Sequence, residues 1–146
     1  MCGVGILADF VVAAPEDALE YGTLIREGRP ISPDRFQRAE YKNFTPLALG
    51  TLWAILRHEK WDVKRHWLED VWHADNGEEW LFRFSDELTE LLAALDEAAI
   101  NADADAWVGR EVPGNAEELK PVLRDLKELA VQAQQRRRSL YLWGSL

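Results

Sequence analysis

The spacing of apolar residues along the chain predicts strands near both termini and in the middle. Residues 3–12 are almost continuously apolar and rich in β-branched side chains, which is typical of a strand buried on both faces. Residues 79–84 alternate aromatic side chains with others and predict a second strand. Residues 140–143 predict a short third strand, so two of the three predicted strands lie at the chain ends.

Helical signals fill most of the chain between these strands. The signals are prolines at a first helical position, N-capping side chains, and apolar residues at three- and four-residue spacing. They predict a short helix after Ser32-Pro33-Asp34 and longer helices over residues 15–28, 46–56, 62–74, 85–99 and 115–133. Pro121 interrupts the last of these, so we expect either a kink there or a helix start near Glu118.

Together these elements predict the α+β class. We expect a single globular domain over residues 1–146, with a small, mainly antiparallel sheet of about three strands and about five helices packed on it. Hydrophobic residues make up 47% of the chain and charged residues 29%, as in ordinary globular proteins. A chain of this length buries roughly 70% of its unfolded surface, which is enough for a core without disulfides or metal.

Charge restricts the class of partner. The formal net charge is −9, so nucleic-acid phosphates and anionic membranes would repel the chain, and we expect neither as a partner. If the charge serves recognition, a basic protein is the favoured partner, whereas plain solubility explains the same charge without any partner. The chain has one cysteine, no basic leader and no apolar run near the roughly 20 residues that span a bilayer. These features favour a cytoplasmic location.

Cys2 is the one candidate nucleophile at the start of the chain. Loss of Met1 would leave its thiol beside its own α-amine, a base suited to activate it. The opening residues MCGVG resemble the start of N-terminal-nucleophile glutamine amidotransferases, which implies a nucleophilic Cys2. The resemblance is confined to residues 1–5, and the arginine-bearing and Gly-Asp patterns of that family are absent. We therefore favour Cys2 as an inert small residue at a strand edge.

Tryptophan is over-represented, with seven in the chain. On the helix predicted over residues 62–74, Trp61, Trp67 and Trp72 spread too widely around the axis to share one narrow stripe. At least one of these rings should therefore be exposed. Exposed tryptophans are frequent anchors of protein interfaces, so these three are the candidate binding residues. An unusually aromatic core is the alternative.

The same predicted helix places imidazoles and carboxylates together. Its wheel brings Asp62, His66, Glu69 and His73 to one side, and these are suitable ligands for zinc or another divalent ion. The opposite side carries apolar residues, so the stripe is equally the solvated polar face of an amphipathic helix. The spacing matches no known zinc signature.

No motif identifies a reaction or a cofactor. The chain contains no Ser-His-Asp order, Walker loop, dinucleotide glycine fingerprint, HExxH or CxxC, and we expect no cofactor. The favoured hypothesis is a non-catalytic protein-binding module, for example a bacterial immunity or antitoxin-like protein that binds a basic partner. The alternatives are a metal-dependent protein that uses the His/acid stripe, and a homo-oligomer with a Trp-rich subunit interface.

Overall fold

A computed structural model describes residues 5–146, which contain five strands and five helices. The strands are β1 (Leu7–Ala13), β2 (Gln37–Lys42), β3 (Glu69–His73), β4 (Glu79–Arg83) and β5 (Ser139–Ser145). The helices are α1 (Ala18–Arg26), α2 (Pro46–Arg57), α3 (Asp86–Ala93), α4 (Glu97–Trp107) and α5 (Ala116–Arg136). Their order along the chain is β1-α1-β2-α2-β3-β4-α3-α4-α5-β5. The α+β class is confirmed. Cys2 lies outside the described residues.

All strands join one antiparallel sheet in the order β2-β1-β5-β4-β3. The two strands from the chain ends, β1 and β5, pair with each other at the centre, with Phe10 opposite Leu142. β1 and β5 are buried almost throughout, as their apolar composition predicts. β2 and β3 form the two edges.

Four helices cover one face of this sheet. The apolar stripe of α5 lies over β1 and β5, and Leu123 and Leu126 are fully buried there. α2, α3 and α4 extend the same core. Trp107, at the end of α4, is fully buried, and its Nε1 donates to the carbonyl of Ala48 at 3.1 Å. This bond satisfies the indole and ties α4 to α2.

The opposite face of the sheet carries a smaller core under α1. Tyr21 and Leu24 of α1 pack with Phe36 on Tyr141 and Trp143 of β5. Tyr21 meets Trp143 edge-to-face at 5.8 Å between ring centroids. The sheet is therefore buried on both faces at its centre, and its edges are the exposed parts.

The predicted helix over residues 62–74 is wrong. Residues 62–68 form a loop, and β3 follows as an edge strand that forms a hairpin with β4 around Asn76-Gly77. Gly77 has a φ of +72°, which suits the turn. The pairing of β3 with β4 shifts register between Asp70 and Trp72, so Val71 is an extra, bulged residue. That insertion breaks the strict alternation that marks a strand in sequence.

Three other boundaries also differ from the prediction. The segment after Ser32 is a turn that leads into β2, so the sheet has five strands rather than about three. The helix predicted over residues 85–99 is two helices, because Asp96 caps α4 by accepting the N–H of Ala99. Of the two alternatives raised by Pro121, the late start near Glu118 is wrong, because α5 begins at Ala116 with a complete Asn115/Glu118 capping box. Within residues 5–146 no helix combines the length and the apolar character needed to cross a membrane.

Candidate functional site

The segment between α2 and β3 is a loop that folds back onto α2. The helix ends at His58, whose left-handed backbone (φ 54°) turns the chain. Asp62 Oδ1 then accepts the backbone N–H groups of Lys64 at 2.8 Å and Arg65 at 3.1 Å. An aspartate carboxylate that accepts the backbone N–H groups two and three residues later stabilises a turn. Such bonds favour a loop over a continuing helix.

His66 anchors this loop from the inside. Its side chain is 1% exposed, and its ring meets Trp53 edge-on at 5.7 Å between centroids. Nδ1 accepts the backbone N–H of Asp62 at 3.0 Å, and Nε2 lies 2.9 Å from Glu59 Oε1. Because Nδ1 is an acceptor, Nε2 carries the ring proton and donates a hydrogen bond to Glu59. Both ring nitrogens are thus engaged within the fold.

A charged rim surrounds the outer side of His66. Arg65 Nη2 lies 2.9 Å from Glu87 Oε1, and Arg65 Nε lies 3.6 Å from Glu59 Oε1. The hydrogen bond from His66 lowers the pKa of Glu59, and the hydrogen bond from Trp53 Nε1 lowers the pKa of Glu87. Both carboxylates therefore remain ionised at neutral pH and serve to hold the loop in place.

The four residues of the metal hypothesis do not converge. Asp62 caps its own turn, and His66 is buried with both nitrogens bonded. Glu69 and His73 lie at opposite ends of β3, where the His73 ring contacts Asp70 at 3.1 Å. Within residues 5–146 no group of three or more His, Cys, Asp or Glu side chains is arranged to hold a metal ion.

The three candidate tryptophans lie in different surroundings. Trp61 is 37% exposed and lies against α2 at Gly50. Trp67 is 43% exposed and meets Phe82 edge-on at 6.3 Å, on the face covered by α2–α5. Trp72 is half-buried on the opposite face, below the Arg26 guanidinium of α1. They do not form one patch, and Trp67 is the most exposed of them.

Trp67 belongs to a surface that we name the acidic edge, which consists of Trp67, Glu69, Asp70 and Val71 at the start of β3. Residues 67–80 contain five acids and no lysine or arginine. All four side chains of the acidic edge are exposed. Arg83 lies opposite Glu69 in the register, but its guanidinium binds Asp86 at 2.7 Å. Among residues 5–146 no strand pairs with the outer side of β3. The acidic edge thus combines open strand backbone, negative charge and exposed apolar side chains.

The other edge of the sheet has a different character. β2 is mostly half-buried and carries the basic residues Arg38 and Lys42. Its Tyr41 donates a hydrogen bond to Asp125 of α5, which closes that side. β2 carries charges of both signs and contacts α5, so its backbone is less accessible to a partner strand than that of β3.

A buried polar pair on the α1 face was missed from the sequence. The hydroxyl of Tyr21 donates to Asp9 and accepts from Arg38 at 3.0 Å. Burial raises the pKa of the Asp9 carboxyl, and the hydrogen bond from Tyr21 partly opposes that rise. The pKa of Tyr21 is also raised, first by burial and then by its bond to Asp9. A single acid within the apolar run of β1 was the available signal. The pair fastens α1 to the sheet.

Replacing Asp9 with Asn should change how stability depends on pH. A raised pKa means that the native state holds the proton more tightly than the unfolded chain does. The contribution of the protonated Asp9 carboxyl to stability is therefore fully present below its unfolded-state pKa of about 4. It is lost as the pH rises through the raised pKa of the native state. Urea unfolding at several pH values should show the wild type losing stability relative to Asp9→Asn as the pH rises above about 4. A relative gain over that range would contradict the assignment.

Comparisons with known proteins give no relative. No protein-family model, curated protein or solved structure matches the chain.

Proposed function

We propose that this protein is a non-catalytic binding module and that the acidic edge is the surface that docks a basic, extended segment of a partner protein. The observation that carries the proposal is the open outer side of β3, where exposed Glu69 and Asp70 lie between exposed Trp67 and Val71. Backbone groups at a strand edge are available to an extended segment, and tryptophan supplies large apolar contact area.

Charge favours a basic partner over a second copy of this chain. Two acidic edges placed side by side would bring Glu69 and Asp70 close to their own copies, which is repulsive. Charges and bulges on edge strands commonly prevent self-pairing, and β3 has both. A segment rich in Lys and Arg meets no such repulsion. The net charge of −9 would also accelerate its encounter.

The proposal includes a cytoplasmic setting. An immunity protein or antitoxin that neutralises a basic partner is one biological form of this function. A toxin-like gene beside the coding sequence would favour that form.

The test is selection of peptides from a displayed random library on the purified protein. We expect enrichment of Lys- and Arg-containing peptides, whose affinity falls as salt is raised because exposed charges are screened. For the best synthetic peptide, Trp67→Ala and the double variant Glu69→Lys/Asp70→Lys should each weaken binding by about tenfold or more, or about 1.4 kcal/mol.

The matched control is the double variant Glu90→Lys/Asp105→Lys. It changes net charge by the same amount at exposed positions of α3 and α4, in the layer of helices. Its affinity should stay within about twofold of the wild type. Equal losses of peptide affinity in both double variants would show that binding depends on net charge alone, which would contradict the assignment of the acidic edge. A dimer that Trp67→Ala dissociates, measured by light scattering, would replace the proposal with a subunit interface.

A further inference from the structure

A cavity lies on the face of the sheet opposite the layer of α2–α5, between α1 and the strands β3, β4 and β5. Its volume is about 200 Å³. Leu81 and Trp143 contribute the sheet side, Trp72 forms one wall, and Gly22 and Arg26 contribute the helix side. We name this space the α1 cleft. It involves neither Trp67 nor the exposed acids of the acidic edge.

Gly22 makes the α1 cleft possible. A glycine inside a helix costs about 1 kcal/mol relative to alanine, so its presence in the middle of α1 needs a reason. A Cβ on residue 22 would lie 2.5 Å from Glu79 Oε2 and 3.0 Å from Trp143 Nε1. The missing side chain therefore lets the carboxylate and the indole approach the helix backbone and leaves open space beside them.

The α1 cleft contains one carboxylate and one guanidinium. Glu79 Oε2 accepts from Trp143 Nε1 at 2.9 Å and from Arg26 Nη1 at 2.5 Å. The Glu79 side chain is 10% exposed, and its other oxygen, Oε1, accepts no hydrogen bond from any residue in the described part of the chain. Arg26 uses a second donor on Thr23 Oγ1 at 3.0 Å. A guanidinium has five donors, so Arg26, which is 49% exposed, has capacity for another acceptor.

These groups select for an uncharged ligand. The Arg26–Glu79 pair is already neutral, so an added anion would meet Glu79 and an added cation would meet Arg26 in a partly desolvated space. A primary amide or a urea offers an N–H donor for the carboxylate and a carbonyl acceptor for the guanidinium. It is also flat, which suits a site walled by the indoles of Trp72 and Trp143. A cavity with apolar walls and a few convergent polar groups is the usual form of a small-ligand site.

We propose that the α1 cleft binds a small, uncharged molecule that carries a primary amide or urea group on an apolar body. Its N–H donates to Glu79 Oε1, its carbonyl accepts from Arg26, and its apolar part lies against Trp72, Leu81 and Trp143. This proposal is independent of the acidic edge.

The probes are benzamide, benzoate and benzylamine, which share a ring but differ in charge. Titrations are followed by NMR of the indole Nε1–H groups, assigned by single Trp→Phe variants. Benzamide should shift the Trp72 and Trp143 signals saturably and leave the Trp61 signal in place. Benzoate and benzylamine should bind at least about fivefold more weakly, as like-charge contacts disfavour them. Equal affinity for all three probes, or no saturable shift, would overturn the proposal.

Two variants test the geometry. Gly22→Ala fills the α1 cleft and should abolish benzamide binding. Gly5→Ala is its matched control, because a Cβ there would meet its nearest atoms at an ordinary 3.5 Å. Arg26→Lys keeps the charge beside Glu79 but loses the planar fork, so it should fold normally and bind benzamide at least about fivefold more weakly. Unchanged affinity in Arg26→Lys or Gly22→Ala would overturn the assignment. Trp67→Ala should bind benzamide like the wild type, which separates this site from the acidic edge.

Discussion

Replacing Gly50 with Ala should lower the free energy of unfolding by about 2–3 kcal/mol, through overpacking between α2 and the loop of residues 58–68. A Cβ on residue 50 would clash directly with the backbone carbonyl oxygen of His66. Backbone that is held at both ends has little freedom to move away. The loop is held by the two hydrogen bonds of His66 and by the turn at Asp62. Relief therefore requires the loop to lift off α2.

Urea unfolding measured by far-UV circular dichroism gives the free energy of each variant. Gly5→Ala is the control for the substitution itself, because its new Cβ would meet its nearest atoms in the described part of the chain at an ordinary 3.5 Å. Trp61 Nε1 would lie 3.4 Å from the new Cβ at residue 50, so lifting of the loop should also change the tryptophan emission spectrum. A cost below about 0.5 kcal/mol would mean that the loop does not rest on Gly50 as described.

The same clash should weaken the acidic edge. Trp67 follows His66 directly, and β3 begins two residues later. A displaced loop therefore moves Trp67 away from Phe82 and disturbs the start of the edge strand. Stability and peptide affinity should fall together in Gly50→Ala, whereas Trp67→Ala should mainly reduce affinity.

Strong local signals were sufficient for the parts of the fold that depend on neighbours in sequence. β1, β4 and β5 follow their predicted apolar patterns, and Ser85 caps α3 by accepting the N–H of Leu88, as its position indicated. The Asn115/Glu118 capping box also formed. These features depend on interactions between residues a few positions apart, so they can be predicted from the local sequence.

The errors lie at the sheet edges, where distant contacts decide the structure. β2 is polar and becomes a strand only because β1 pairs with it. β3 contains the bulged Val71, so its apolar and polar positions fit a helical wheel as well as they fit a strand. For such segments tertiary pairing overrides the local pattern.

The candidate site was predictable only in part. The surplus of tryptophan and acid pointed to the region of residues 61–73, and the acidic edge lies there. The expected spread of Trp61, Trp67 and Trp72 assumed a helix, whereas the structure separates these residues through a loop and an edge strand. The burial of His66 depended on Glu59, Trp53 and Gly50, and no spacing in the sequence links these residues to it.

Replacing His66 with Ala should lower the free energy of unfolding by about 3 kcal/mol, since it removes a buried ring and leaves buried hydrogen-bonding groups without partners. The two nitrogens can be tested separately. In His66→Asn the amide oxygen lies near the place of Nδ1 and can still accept the N–H of Asp62. In His66→Gln the amide nitrogen lies near the place of Nε2 and can still donate to Glu59. Each should recover about 1 kcal/mol of the loss.

Glu59→Gln supplies the control for charge in this network. Its amide oxygen still accepts from His66 Nε2, but the variant loses the ion pairs with Arg57 and Arg65. Because those pairs are exposed to solvent, we expect only a small loss of stability, well below that of His66→Ala. Urea unfolding of the four variants at neutral pH measures the series. If Glu59→Gln costs as much as His66→Ala, the rim of charges rather than the buried imidazole holds the loop on α2, and the assignment of His66 as its anchor is wrong.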